Sequence, residues 1–347
     1  MPGNKRTAGV AAAAAAVLAI AALSVVLLRD GGDLDPGFVA DGTSGTPMVH
    51  DAEIRLPIGT VRLSTGEPLD RIAARRVGED GDGSLRASDD AAIVPLSWSF
   101  RPSLSYQELL AHPTEFSLSV AAGGERSDLG EQDVDPHSAK DSGLLSEGSY
   151  VAVVAGSGED LALEVTYAGE TQSVDMSSGE VAQGRAEALY PDGPTTYASK
   201  DDCDARRTPE SRYVDAGSGS IYCRVEPLTR TPYLPDLGWA EAGRVWSVVG
   251  VTVTAPRTVS WIPTGVRYQV RREPITVSLS DSTTVRTPRP GGEARVWRGT
   301  WVFDSPLDAA EPALRVTAAM TAVRAAGGTG GPATIPFGVD QTFSYQR

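Results

Sequence analysis

Hydrophobic and polar residues alternate through most of the chain beyond residue 50, which is the spacing of β-strands that bury one face. In the segment 93–100, for example, Val94, Leu96, Trp98 and Phe100 share one face. The alternation recurs in further segments, which are separated by turns rich in Gly, Pro and Asp: 161–167, 244–254, 275–279, 294–303 and 314–320. This pattern predicts a mainly β protein built from antiparallel sandwiches of the immunoglobulin-like type.

The strand segments also recur in the same order at offsets of about 150 residues. The long segment that ends at Pro102 corresponds to the one that ends at Pro256, and the segment 116–120 corresponds to 276–280. We therefore predict two tandem sandwich domains, at 50–187 and 190–347. The alternative is that alternating strands resemble one another by chance.

Helical periodicity is almost absent from this part of the chain. Ser105 and Glu108 have the spacing of a capping box, and Pro113 follows closely. We expect one short helix there, of a turn or two.

The N-terminal end departs from the strand pattern. After Lys5 and Arg6, residues 8–28 form an apolar run, which at ~1.5 Å per residue covers a hydrocarbon core of ~30 Å. The charges that follow the run have no small-residue cleavage site before them, so it predicts an uncleaved transmembrane signal anchor. Cations before the run and acidic residues after it place the N-terminus in the cytoplasm.

The anchor divides the chain into a cytoplasmic tail at 1–7, the span at 8–28 and an extracytoplasmic remainder. Residues 29–49 are rich in Gly, Asp and Pro and lack an apolar period, which predicts a flexible stalk. The tail is too short to fold or to carry an activity. We therefore expect a single-pass protein of the cell membrane with its bulk outside.

Composition changes the picture in two respects. The chain has three lysines, 28 arginines and one asparagine, a usage typical of a high-GC bacterial genome. Residues 30–200 carry 30 acidic and 11 basic side chains, whereas residues 201–347 carry 15 acidic and 17 basic ones. The first predicted domain is thus strongly acidic and the second nearly neutral. Without a basic stripe or a binding motif, nucleic acid is not an expected partner.

The two cysteines, Cys203 and Cys223, lie twenty positions apart in a segment predicted to be exported. Disulfides persist in that environment, and the spacing does not match a redox C-x-x-C motif. A zinc site would need further ligands, and the three histidines lie far away in the sequence. A structural disulfide is the favoured interpretation, with two separate thiols as the alternative.

The segment 79–90 is acidic enough to suggest a calcium loop. It lacks the Gly and Glu that an EF-hand requires at its sixth and twelfth positions. A looser cation site remains open; the alternative is an acidic hairpin tip. Its candidate ligands are Asp80, Asp82, Asp89 and Asp90.

Tryptophan and arginine residues in the second domain provide the candidate binding surface. On the strand 244–254, Val245 and Val249 define the core face, so Trp246 points the other way: under a loop, against the first domain or on an exposed patch. On the strand 266–272, Arg267 and Arg271 share the face opposite Tyr268. Such a face is either solvated or binds carboxylates or phosphates, which an envelope polymer, a protein partner or this protein's own acidic first domain would present.

No motif of a hydrolase nucleophile, a zinc protease or a phosphate-binding loop occurs in the chain. The sequence therefore predicts neither an enzyme nor a cofactor. The leading hypothesis is a membrane-anchored interaction module of a bacterial cell envelope, which binds a protein or a cell-wall polymer. The alternative is a small-ligand or cation-binding envelope protein that uses the acidic first domain.

Overall fold

A computed structural model describes most of the chain and divides it into two compact units between Gly184 and Arg185. The described residues are 33–42, 46–78, 83–134, 146–190, 195–199, 205–206, 214–215, 222–288, 296–309, 311–326 and 328–346. No helix within these ranges has the length and apolar character needed to cross a bilayer. The predicted tail 1–7 and span 8–28 lie outside the described residues.

The first unit consists of twelve described strands and little helix. The strands are β1 (Val39–Asp41), β2 (Met48–Leu56), β3 (Gly59–Gly66), β4 (Arg71–Ala73), β5 (Ser84–Arg86), β6 (Ala91–Pro102), β7 (Glu115–Ala122), β8 (Glu125–Asp133), β9 (Ser146–Ala155), β10 (Ala162–Tyr167), β11 (Glu170–Asp175) and β12 (Val181–Ala182). The helical parts are α1 (Tyr106–Leu109) and two 3₁₀ turns, Ala74–Val77 and, across the division between the units, Gly184–Leu189.

Two five-stranded antiparallel sheets form the body of the first unit. Their orders are β1-β9-β6-β3-β2 and β12-β11-β10-β7-β8, and β4 pairs with β5 as a separate hairpin. The sheets meet through aromatic side chains, because the ring of Phe116 on β7 lies 5.4 Å from that of Trp98 and 6.2 Å from that of Phe100, both on β6. The arrangement is sandwich-like, and the predicted buried face of β6 is confirmed.

Part of the segment predicted to be a stalk lies in the first unit instead. Strand β1 pairs with β9, and the side chain of Leu34 is only 5% exposed. Leu34 packs in a second buried cluster with Ile93 and Val153, on the outer side of the first sheet. The few apolar residues among the glycines and aspartates thus cover an apolar patch of that sheet, so 33–41 is not a free linker.

The single predicted helix is confirmed as α1. The Oγ of Ser105 donates to Oε2 of Glu108 at 2.6 Å, and the backbone N–H of Glu108 approaches Oγ of Ser105 at 3.4 Å. The hydrogen bond lowers the pKa of the Glu108 carboxyl. This capping box orders one helical turn between β6 and β7.

The second unit consists of fourteen described strands. These are β13 (Thr195–Ser199), β14 (Ala205–Arg206), β15 (Val214–Asp215), β16 (Tyr222–Val225), β17 (Leu228–Thr231), β18 (Tyr233–Leu234), β19 (Gly238–Trp239), β20 (Arg244–Thr254), β21 (Thr258–Trp261), β22 (Val266–Leu279), β23 (Thr283–Arg286), β24 (Val296–Pro306), β25 (Ala313–Arg324) and β26 (Thr334–Gln346). Except for the hairpin β18–β19, all belong to one twelve-stranded sheet.

That sheet folds over its main core, and a smaller buried cluster contains Val259, Tyr268, Ala322 and Ile335. One half has the order β17-β20-β24-β23 with β16 beside β20, and the other has β15-β21-β22-β25-β26 with β14 beside β26. Strand β13 joins the halves, since it pairs first with β17 and then with β26. Val251, Trp301 and Phe303 from the first half meet Val316 and Phe343 from the second.

Three strand pairings occur in both units in the same chain order. The pairs β6·β9, β7·β10 and β10·β11 in the first unit have counterparts in β20·β24, β22·β25 and β25·β26. The next strand differs, because β8 pairs with β7, whereas β23 pairs with β24 in the other half of its sheet. The two units therefore share a pairing scheme and differ in where one strand joins it.

Candidate functional site

The two arginines predicted to bind a partner lie on the outer side of β22. Arg267 and Arg271 are exposed, whereas Tyr268 between them is fully buried, so the alternation places both guanidinium groups on one face. The two residues are four positions apart, which is ~13 Å along the strand. Neither makes an ion pair or a side-chain hydrogen bond with a described residue. Two cations are thus free for an external anion.

The neighbouring strands extend this surface, which we call the arginine face. It is the outer side of β22, β25 and β26 and comprises Arg267, Gln269, Arg271, Arg315, Thr317, Thr321 and Asp340. Arg315 donates to the Asp340 carboxylate from Nε at 2.9 Å and from Nη2 at 3.1 Å. Asp340 is the only carboxylate among the described side chains of this face, and Arg315 holds it.

One carboxylate beyond the arginine face is aligned with Arg267. The register runs from Asp215 on β15 through Ser260 on β21 to Arg267. At two strand spacings the backbones of the two residues lie ~10 Å apart. Arg267 nevertheless forms no ion pair with a described carboxylate, so its charge remains available.

Trp246 lies on the opposite outer side of the second unit. It is half-buried on β20, while Val245 and Val249 enter the core beside it. Its indole Nε1 donates to the carbonyl oxygen of Gly238 at 2.8 Å. The hairpin β18–β19 thus contacts Trp246, whose role in binding stays a prediction. The structure brings Arg267 and Arg271 together and leaves Trp246 apart from them.

The first unit carries a face of opposite charge, which the sequence reasoning missed. We call it the acidic face; it is the outer side of β7, β8 and β10, with Glu115, Asp128, Glu131, Asp133 and Glu164. Its only described cation, Arg126, lies 3.0 Å from Oε2 of Glu164 and donates to Oγ of Ser119 at 2.9 Å. A register shift between Leu118 and Ser119 interrupts the alternation of β8. In the sequence, only the excess of acidic residues over residues 30–200 indicated such a face.

A polar groove crosses the outer side of the first unit's other sheet. It has a volume of about 480 Å³ and a floor of small hydroxyl side chains on β3, β6 and β9. Arg62 and Glu147 stand on either side of Ser99, in one cross-strand row. Arg62 also pairs with Glu53 at 3.1 Å. The groove offers hydroxyls and both signs of charge to a small polar ligand.

The candidate cation ligands are only partly described. Asp80 and Asp82 lie outside the described residues. The side chain of Asp89 is 97% exposed and approaches Arg86 at 3.7 Å, and Asp90 occupies a turn with φ of 68°. In the described ranges, no group of three potential metal ligands occurs. Cation binding by this segment stays a prediction.

The candidate disulfide is likewise described at one end. Cys223 lies on β16, is 6% exposed and belongs to the core of the second unit. No free cysteine occurs among the described residues. Because Cys203 lies outside them, the pairing of Cys203 with Cys223 stays a prediction.

A titratable group in the first unit lies apart from these surfaces. Burial lowers the pKa of the His112 imidazole, and the nearby Glu108 carboxylate partly opposes this effect. Neither residue belongs to the arginine face, the acidic face or the groove.

Comparison of the chain with protein-family models, with curated proteins and with solved structures finds no match. The case for a function therefore rests on the surfaces of the two units.

Proposed function

We propose that this protein is a non-catalytic interaction module of a bacterial cell envelope, anchored by residues 8–28, whose arginine face binds a partner that carries carboxylates or phosphates. The partner is a protein or a cell-wall polymer. The observation that carries the proposal is the pair Arg267 and Arg271, exposed ~13 Å apart without an anionic partner among the described residues.

Arginine suits this role for a physical reason. Its planar guanidinium donates two parallel hydrogen bonds to a carboxylate or a phosphate and loses less hydration than an ammonium group does. Arg315 already binds Asp340 in this manner on the same face. Arg267 and Arg271 lack such an acceptor, and on a rigid sheet they would present their forks to an incoming anion at little conformational cost.

The order of the strands supports an immunoglobulin-like assignment of both units. In the second unit, β17-β20-β24-β23 and β22-β25-β26 match the four-stranded and three-stranded sheets of a constant-type domain. The first unit has β3-β6-β9 on one side and β8-β7-β10-β11 on the other. We propose that the two units are variants of one ancestral domain, with additional edge strands. Domains of this architecture are common binding modules at cell surfaces.

The proposal is tested by crosslinking capture from intact cells. The natural chain is compared with an Arg267→Glu, Arg271→Glu variant. A matched control, Arg224→Glu with Arg298→Glu, changes the net charge equally; its two positions align through Thr252 on the other half of the sheet. We expect the first variant to lose a captured partner that the control retains. Equal capture by all three chains would refute the arginine face as the binding surface.

The groove of the first unit supports the second candidate function, binding of a small polar ligand. Its hydroxyl floor suits a neutral or zwitterionic molecule, because Arg62 and Glu147 offer opposite charges about two strand spacings, ~10 Å, apart. A Ser99→Phe variant fills the groove without touching the arginine face. A ligand that raises the melting temperature of the natural chain but not of this variant would favour the second candidate.

A further inference from the structure

We propose that the occupant of the arginine face is the acidic face of a second copy of this chain, so that the protein associates with itself through unlike faces. The inference rests on the proposed function and names the partner of that surface. Its basis is the complementary charge of two faces that share two pairs of corresponding strands, β7 with β22 and β10 with β25.

The two faces correspond in the pairing scheme. The acidic face lies on β7 and β10, with β8 at its edge, and the arginine face lies on β22 and β25, with β26 at its edge. Strands β7 and β10 pair with each other as β22 and β25 do. Both faces are therefore outer sides of antiparallel sheets with similar strand spacing, and each has charge of predominantly one sign.

The spacings of the charges are compatible. On the acidic face, Glu131 and Asp133 are two residues apart, ~7 Å. Because of the register shift in β8, Asp128 and Asp133 oppose Ser119 and Glu115, which are four positions apart on β7, ~13 Å. The ~13 Å between Arg267 and Arg271 matches this separation, so two guanidinium groups can meet two carboxylates at once. Each such pair can form parallel N–H···O bonds.

The area predicts a weak association. Three strands of about ten residues span roughly 400–500 Å². A stable interface buries about 800 Å² from each partner, so this contact falls short of one. It would matter where copies share one membrane, because anchoring raises their effective concentration. Since the two faces belong to different units, the contact is heterologous, and a third copy can add to it.

The first experiment measures self-association of the full chain, purified in detergent, by sedimentation over a range of protein concentrations. At about 0.1 M NaCl we expect reversible association, and at about 1 M NaCl we expect at least a tenfold weaker one, because the Debye length falls from ~10 Å to ~3 Å. A chain that stays monomeric throughout the range at the lower salt concentration would overturn the inference.

Charge reversal supplies the decisive comparison. Arg267→Glu with Arg271→Glu should weaken association at least tenfold, and so should Glu131→Arg with Asp133→Arg. An equimolar mixture of these two variants should regain association, because each reversed face then meets a complementary one. The control Arg224→Glu with Arg298→Glu should associate like the natural chain. Failure of the mixture to regain association would overturn the pairing of these two faces.

The outcome for this inference is separable from that for the proposed function. If the arginine variant loses a captured polymer or a different protein from cells while the natural chain is monomeric in solution, the arginine face binds a partner, but the inferred self-association is wrong. If the crosslinked product contains two copies of this chain joined between 115–133 and 266–271, the self-association is supported directly.

Discussion

The two units place opposite charges on corresponding strands. In both, residues on alternate positions fill a core, with Phe116, Leu118 and Val120 on β7 matched by Val277 and Leu279 on β22. The outward positions carry carboxylates in the first unit and arginines in the second. Cross-strand pairing uses the backbone and the core face, so the outward side chains are free to differ in charge. A shared scaffold thus says little about what each unit binds.

The strand that follows next in the chain, β8 after β7 and β23 after β22, accounts for part of the difference in charge between the two faces. In the first unit, β8 follows a tight turn and adds Asp128, Glu131 and Asp133 to the edge of the acidic face. In the second, β23 joins β24 instead, and β21 pairs with β22 at the corresponding edge, where Ser260 lies beside Arg267. The charge of the acidic face is thereby concentrated on a strand that the second unit places elsewhere.

The largest effect expected from a single change is the loss of a core aromatic residue. Phe100→Ala in the first unit and Trp301→Ala in the second should each lower the free energy of unfolding by about 3–5 kcal/mol, because both side chains are buried. Calorimetry of the full chain should show that each variant shifts only one of two transitions. A common shift would mean that the two units unfold as one.

A smaller loss of stability is expected when either of two glycines on core-facing positions is replaced by alanine. A Cβ at Gly148 would lie 2.5 Å from the indole Nε1 of Trp98, and one at Gly299 would overlap Pro288. Gly148→Ala and Gly299→Ala should each cost about 1–3 kcal/mol through overpacking. Denaturant unfolding measures both, and Gly83→Ala, which meets no atom within 4 Å at a position without a positive φ, serves as the control. A cost below that of the control would show that the rings move aside freely.

The sequence predicts the buried strand positions of both units but not the charged surfaces that they form. Alternation identified the buried positions of β6 and β20, because a one-residue shift would expose them all. It could not place Trp246 relative to Arg267, since strand pairing across the folded sheet depends on contacts far apart in the chain. It also missed the acidic face, because the bulge at Leu118 breaks the period-two signal at β8. Charge counts located the acidity without its surface.

A modest loss of stability is expected when the residue of opposite charge is removed from each face. Arg126→Ala leaves Glu164 among like charges, and Asp340→Ala leaves Arg315 among arginines. Each change should lower the free energy of unfolding only slightly, because ion pairs at an exposed surface contribute little to stability. Added salt should reduce both costs, because it screens the repulsion that remains. Unfolding titrations at about 0.1 M and 1 M NaCl measure this, and a cost that is independent of salt would mean that packing, not charge, is lost.

The smallest effect concerns pH and separates the units again, because all three histidines lie in the first. Burial lowers the pKa of folded His112 below its ordinary value of 6.5, so near and below that pH the unfolded chain binds more protons than the folded one. Stability of the first unit should therefore fall as pH decreases through 6.5. The Glu108 carboxyl has a lowered pKa, so it stabilises the folded state only while it is ionised. The stability that it contributes is therefore lost only as the pH falls below its ordinary pKa of 4.5.

The measurement is the melting temperature of each calorimetric transition between about pH 7.5 and 5.5, within the ordinary titration range of histidine. The first unit's transition should move down with pH, and the second unit's should change less. His112→Gln should remove the part of the slope that His112 causes, while Glu108→Gln should preserve the decline, because losing the opposing carboxylate makes protonation of the buried imidazole harder. An unchanged slope in the His112 variant would assign the pH dependence to other groups of the first unit.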